Sequence, residues 1–197
     1  MQFNSHREAI PYNMLDQMRS LVETTLFSPF GQSLSTRSHV ATYRKILAAA
    51  TEVACDRNYN LVLAHFPTPH APHAYDRNTQ QFTRKNSPIS GYWDSLALAD
   101  RTLGVLRKAM EDAGVWESTA ILATSDHSYR EQLDGKLDPR VPFLLRLAGH
   151  AEGRVYEAPF NTVLAHPLML AILNGELRTP EEVEQWLDRR RNSVKLQ

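Results

Sequence analysis

The chain has 197 residues, 42% of them hydrophobic and 22% charged, proportions ordinary for a soluble globular protein with length enough for one domain and a real core. Lys+Arg and Asp+Glu both total 22, so the formal net charge is zero, which argues against the basic excess of a nucleic-acid footprint. The single cysteine, Cys55, excludes an intrachain disulfide, and no segment reaches the roughly 18 uninterrupted apolar residues of a membrane span.

Residues 1–10 carry His6, Arg7 and Glu8 with no apolar stretch and do not read as a signal peptide. Residues 12–26 place Leu15, Met18, Val22 and Leu26 at helical spacing. Residues 28–38, with Pro29 and Gly31, read as a loop. Residues 39–55 read as a second helix with Val40, Tyr43, Leu47, Ala50 and Ala54 on one stripe and Cys55 as a small buried side chain. The run 60–64, N-L-V-L-A, predicts a short buried strand leading into 65–73, H-F-P-T-P-H-A-P-H, whose prolines forbid regular structure. Residues 75–90 read as a polar excursion.

The clearest helix is 92–113, where Tyr92, Leu96, Ala99, Leu103, Leu106 and Met110 form an apolar stripe and Gly114 is placed to cap it. Strands follow at 119–124 and 141–147, the latter with Pro142 near its start. Residues 166–173 predict a helix with Pro167 in the first turn, closed by Asn174-Gly175. Thr179-Pro-Glu-Glu182 is a capping box opening a last helix through Arg189, where the run Arg189-Arg190-Arg191 suits the helix dipole. Strands alternating with helices predict an α/β fold, a mostly parallel sheet flanked by helices. Residues 1–58 are expected to be a helical segment packed on the sheet, 59–178 the α/β core and 179–197 a C-terminal helix, all in one domain.

Two clusters can carry chemistry. The stretch 119–130, T-A-I-L-A-T-S-D-H-S-Y-R, ends an apolar strand in Ser125-Asp126-His127. Carboxylate oxygen and imidazole nitrogen both ligate zinc or manganese. Adjacent strand residues point to opposite faces, so Asp126 and His127 share one ion only if the strand has ended by Ser125 and the chain is turning. The plain alternative is a surface Asp-His dipeptide. The second cluster is His65, His70 and His73, after the strand at 60–64. Sites in open α/β sheets gather at the carboxyl ends of strands, so two strand ends delivering His or Asp point to one site. The prolines leave the imidazoles little entropy to lose, which suits a preorganised contact with an anion. Against this stand a surface reading, most of all for His73, and a core hydrogen-bonding role for His65.

In chain order, a strand, Pro69-His70-Ala71-Pro72, Asp100-Arg-Thr-Leu-Gly104 on a helix, a strand ending in Ser125-Asp126-His127, and Arg140-Val-Pro-Phe143 resemble the C-terminal half of the sulfatase-like members of the alkaline phosphatase superfamily. Asn161-Thr-Val-Leu-Ala-His-Pro-Leu168 resembles that family's next helix. The resemblance implies an alkaline-phosphatase/sulfatase-like α/β fold, apparently missing its N-terminal strands, and a metal-dependent hydrolase or transferase of sulfate or phosphate esters with a small anionic ester as substrate. It implies that Asp126 and His127 ligate the catalytic metal. An imidazole beside the carboxylate shifts the expectation from calcium to zinc or manganese, as in the phosphoethanolamine and glycerol-phosphate transferases of the superfamily. His70 matches the histidine that contacts the transferred group or the leaving oxygen, where a cationic imidazole neutralises charge or donates a proton. His65-Phe-Pro fits the same H-x-P pattern, so His65 and His70 both stand as catalytic candidates. Arg130 is either an anion contact or an exposed loop arginine.

The family's nucleophile, a Thr, Ser or modified Cys, and a further acidic metal ligand precede everything matched above. The sequence holds no C-x-P-S-R motif, Cys55 lacks the following proline and serine, and Ser35-Thr36-Arg37-Ser38 follows no strand. The expectation is therefore the C-terminal part of a longer enzyme, with Met1 an internal start, inactive alone and derived from an extracytoplasmic, membrane-anchored parent. A half-sheet would expose an edge and self-associate. Two readings compete: a degenerate, non-catalytic sulfatase-like domain with a binding or scaffolding role, and a self-contained hydrolase using an ion-activated water, with His150 or His166 as further ligands.

Overall fold

The computed structural model describes residues 28–83, 88–128 and 138–193. The chain divides into two compact units, Met1–Ala109 and Met110–Gln197.

In the first unit, helix α1 spans Ser28–Cys55, so the loop expected over 28–38 is helical. Pro29 falls in the first turn, where the amide it lacks would have no intrahelical acceptor, and Gly31 inside a helix costs only about 1 kcal/mol. The stripe read from the spacing is the inner face: Tyr43 and Ala50 are buried, and Val40, Leu47 and Ala54 half-buried. Cys55 is half-buried. The helix predicted over 12–26 lies outside the described residues.

Tyr43 forms a core with Tyr75 and Leu98, joined by Leu47, Phe66 and Phe82. The polar excursion contains an antiparallel pair, β1 (Tyr75–Asp76) and β2 (Gln81–Phe82), with Tyr75 opposite Phe82. Helix α2, Pro88–Asp112, ends at Gly114, whose φ of +67° lets the Val115 amide reach back to the Met110 carbonyl at 2.9 Å, a left-handed cap that favours glycine.

The face that α2 buries differs from its apolar stripe. Asp94, Ser95, Leu98 and Thr102 are buried, while of the stripe only Met110 is fully buried, Tyr92, Leu96, Ala99 and Leu106 are half-buried and Leu103 is 39% exposed. Each buried polar group has a partner, which makes that burial tolerable: Asp94 pairs with Arg77 at 3.4 Å, Thr102 with the Tyr43 hydroxyl at 2.7 Å, and Ser95 with the histidine loop described below.

The run 60–64 is the main correction in this unit. It forms no strand, and Leu61 and Leu63 are 58% and 94% exposed. A strand exists only where a neighbour accepts its amides and carbonyls, and among the described residues no strand pairs with this run.

In the second unit, β3 (Ile121–Thr124) and β4 (Phe143–Arg146) pair antiparallel, Thr124 facing Phe143 and Ile121 facing Arg146. The chain thus reverses between them instead of crossing over, and the mostly parallel sheet expected from the alternation of elements is replaced, among the described residues, by two antiparallel pairs. Helix α3 (Ala165–Leu173) and helix α4 (Pro180–Arg190) close a core around Leu147, Leu164, Leu168, Trp186 and Leu187. Gly175, at φ +71°, ends α3 as expected. The capping box is present in full, Thr179 Oγ1 accepting from the Glu182 amide and Glu182 accepting from the Thr179 amide. Among the described residues no helix is long and apolar enough to cross a membrane.

Candidate active site

Strand β3 ends at Thr124, and Asp126 and His127 lie in a bend. This is the condition under which neighbouring side chains can turn toward one point. The bend is clasped from both sides. Thr124 Oγ1 donates to the Pro142 carbonyl at 2.8 Å, and Ser125 Oγ donates to the His127 carbonyl at 2.8 Å. The opposite end of the pair is fixed by Arg146, which donates to the carbonyls of Trp116 and Thr119 at 2.9 and 3.0 Å and lies 4.4 Å over the Trp116 ring.

His127 Nδ1 sits 2.8 Å from the Ser128 carbonyl. A carbonyl only accepts, so Nδ1 is the donor in this contact, and Nε2 is the ring nitrogen on the Asp126 side. That nitrogen is 3.9 Å from Asp126 Oδ1. Metal–nitrogen and metal–oxygen bonds of roughly 2.0–2.2 Å sum to slightly more than this, so one ion touches both atoms only when it lies close to the line between them. A backbone acceptor fixing the far nitrogen is the usual support of a ligating histidine. The donor types, one carboxylate and one imidazole, suit a divalent ion as part of a larger ligand set. Among the described residues no group of three or more His, Cys, Asp or Glu is arranged to hold one.

The histidine loop belongs to the first unit. Thr68–Pro69 and Ala71–Pro72 are cis peptides, and His70 lies exposed between them. Ser95 of α2 holds the loop at both ends. Its carbonyl accepts from Thr68 Oγ1 at 3.0 Å, and its hydroxyl meets His73 Nδ1 at 3.0 Å. His73 also lies against Gly91, where an added Cβ would come within 2.6 Å of its own Cβ, so only glycine admits this approach. His73 is half-buried, which replaces the surface reading, and His65 is exposed, which removes the core reading. His65 and His70 follow an unpaired segment rather than a strand, so of the two strand ends expected to carry the site only β3 is a strand.

A residue the sequence reading passed over joins this loop. His39 of α1 has its pKa lowered from 6.5, first by burial and then by His70 and His73. The available signal was its position four residues before Tyr43, on the helix's inward side. Of the remaining candidates, Arg130 lies outside the described residues, His166 is exposed and His150 half-buried. Ser35-Thr36-Arg37-Ser38 lies within α1. Arg140 pairs with Asp138 at 2.5 Å, holding that carboxyl down at about 2.

The profile of the sulfatase family matches residues 13–173, a span that contains His39, His65, His70, Asp126 and His127. The chain belongs to the sulfatase family. The α/β class follows from that membership, and the match begins well upstream of residue 60, where the resemblance starts. An ulvan-active sulfatase from Formosa agariphila is 25% identical to this sulfatase-family chain, over 64% of the chain and 29% of that protein. The chain thus spans less than a third of the relative's length. No solved structure matches it.

Proposed function

We propose that this chain is the metal-binding portion of a sulfatase-type hydrolase or transferase acting on small anionic esters of sulfate or phosphate. The observation that carries this reading is the bend after β3, where His127 presents Nε2 toward the Asp126 carboxylate. In this reading Asp126 and His127 hold a divalent ion, zinc or manganese before calcium because one ligand is nitrogen. When bound, such an ion polarises the ester oxygens. His70, with His65 as the second candidate, meets the anionic group, and in its protonated form donates to a developing oxyanion or to the leaving oxygen. The relative's name supports the sulfate ester ahead of the phosphate ester.

The test is metal uptake by the intact protein. We expect purified protein equilibrated with zinc or manganese to retain an ion, and Asp126→Ala and His127→Ala each to weaken retention at least about tenfold, read by elemental analysis after dialysis. Retention unchanged in both variants would show the ligand assignment to be wrong. Parallel assays with 4-nitrophenyl sulfate and 4-nitrophenyl phosphate choose the ester. Metal retained with neither ester cleaved would favour the non-catalytic binding domain.

A further inference from the structure

We propose that Ser125 is a positioning residue for the metal pair: its hydroxyl sets the peptide that aims the His127 imidazole at the Asp126 carboxylate, a role that rests on the assignment of Asp126 and His127 to the ion.

The need for positioning comes from the distances. His127 Nε2 and Asp126 Oδ1 are 3.9 Å apart, and two bonds of roughly 2.0–2.2 Å span little more than that. A separation wider by about half an ångström would put the two atoms beyond any ion shared at those bond lengths. Burial does not lock the pair in place, because the Asp126 side chain is 63% exposed and that of His127 30%. Hydrogen bonds, more than packing, must therefore set where the imidazole points.

Two hydrogen bonds form a relay that does so. Ser125 Oγ donates to the His127 carbonyl at 2.8 Å, which fixes the plane of the peptide joining His127 to Ser128. The next carbonyl, that of Ser128, accepts from His127 Nδ1 at 2.8 Å. The ring is thus steered by the backbone segment that Ser125 has fixed, and its far nitrogen lies on the Asp126 side. β3 has ended at Thr124, so its ladder does not hold this peptide. Removing the hydroxyl loosens the peptide, and the Ser128 acceptor moves with it. An outer partner that orients a ligating histidine in this way tunes how tightly the ion is held.

Thr124 supplies the comparison. Its hydroxyl donates to the Pro142 carbonyl, also at 2.8 Å, and ties the end of β3 to the residue before β4. That bond holds the bend as a body and leaves the relation of Asp126 to His127 untouched. Two neighbouring hydroxyls, each with a carbonyl at the same distance, therefore do different things: one fastens the bend and the other shapes it.

The experiment measures zinc binding to the intact chain and to Ser125→Ala, Ser125→Thr and Thr124→Val by competition with a chromogenic chelator, beside the melting temperature of each metal-free protein. We expect Ser125→Ala to weaken zinc about tenfold and Ser125→Thr to restore most of the loss. Thr124→Val should bind zinc as the unaltered protein does, even where it lowers the melting temperature. A second measurement needs no variant: imidazole nitrogen shifts of the metal-free, unaltered protein at about pH 8, above the ordinary histidine range, should place the His127 proton on Nδ1. Unchanged zinc affinity in Ser125→Ala, no rescue by Ser125→Thr, an equal loss in Thr124→Val, or a His127 proton on Nε2 would each overturn the role of Ser125 while zinc retention by the unaltered protein keeps the ligand assignment standing. An unaltered protein that retains no zinc would take down the ligand assignment and the role of Ser125 together.

Discussion

His39 is held away from protonation by its surroundings, and that has a consequence for stability. Its folded pKa lies below 6.5, because burial disfavours the cation and His70 and His73 add to the effect. The unfolded chain therefore binds more protons than the folded one once the pH drops through about 6.5, and folding stability falls with it until the folded pKa is passed. His39→Gln should flatten this acid-side loss, seen as a smaller change in melting temperature between about pH 7 and about pH 5 than in the unaltered protein. An unchanged slope would mean that the proton is taken up elsewhere. Single residues were unevenly legible in the sequence. Asp126 and His127 stood out because they end an apolar run. His39 did not, because its neighbours His70 and His73 become neighbours only after α1 and the proline loop have packed. His73 read as a surface residue because nothing local announces the approach at Gly91.

Among the elements, those defined by neighbours in sequence read best. The capping box of α4 is complete within four residues: the Thr179 hydroxyl accepts from the Glu182 amide at 3.3 Å, and the Glu182 carboxylate accepts from the amides of Thr179 and Arg178 at 3.0 and 2.6 Å. Those amides hold the Glu182 carboxyl below its ordinary range. Thr179→Ala should cost about 1 kcal/mol, measured as a lower midpoint of denaturant unfolding, and Thr179→Ser should restore most of it. A wild-type midpoint for the alanine variant would show that the cap contributes nothing. Elements that depend on distant partners read worst. The run 60–64 has the composition of a buried strand, yet composition cannot supply the neighbouring strand whose groups it would need. The most buried part of α2 escaped the stripe for a related reason. Hydropathy ranks Asp94, Ser95 and Thr102 as outward-facing, but Arg77, His73 and Tyr43, from three other segments, satisfy them where they are.

For the molecule as a whole, the contrast between Leu168 and Leu63 separates what stabilises the fold from what does not. Leu168 is fully buried and Leu63 is 94% exposed. Leu168→Ala empties the middle of the second unit's core and should cost about 2–5 kcal/mol. Leu63→Ser touches little and should change stability by no more than about 0.5 kcal/mol. Urea unfolding of both variants checks the pair, and a costly Leu63→Ser would mean that the 60–64 run is buried after all. At this scale the α/β class was legible in the alternation of elements and the sulfatase affiliation in an ordered series of short motifs. The pairing of strands was not, because direction and register are set by contacts the series does not encode.

The two grips of Ser95 on the histidine loop are of different kinds. Thr68 is held by a backbone carbonyl that any amino acid at position 95 supplies, whereas His73 is held by a hydroxyl that only serine or threonine would bring. Ser95→Ala would remove the hydroxyl contact to His73 and keep the carbonyl that accepts from Thr68. A change at position 95 would thus be felt at His73 before Thr68, and a side chain that presents no group of its own to solvent helps decide how the stretch carrying His70 is anchored on α2.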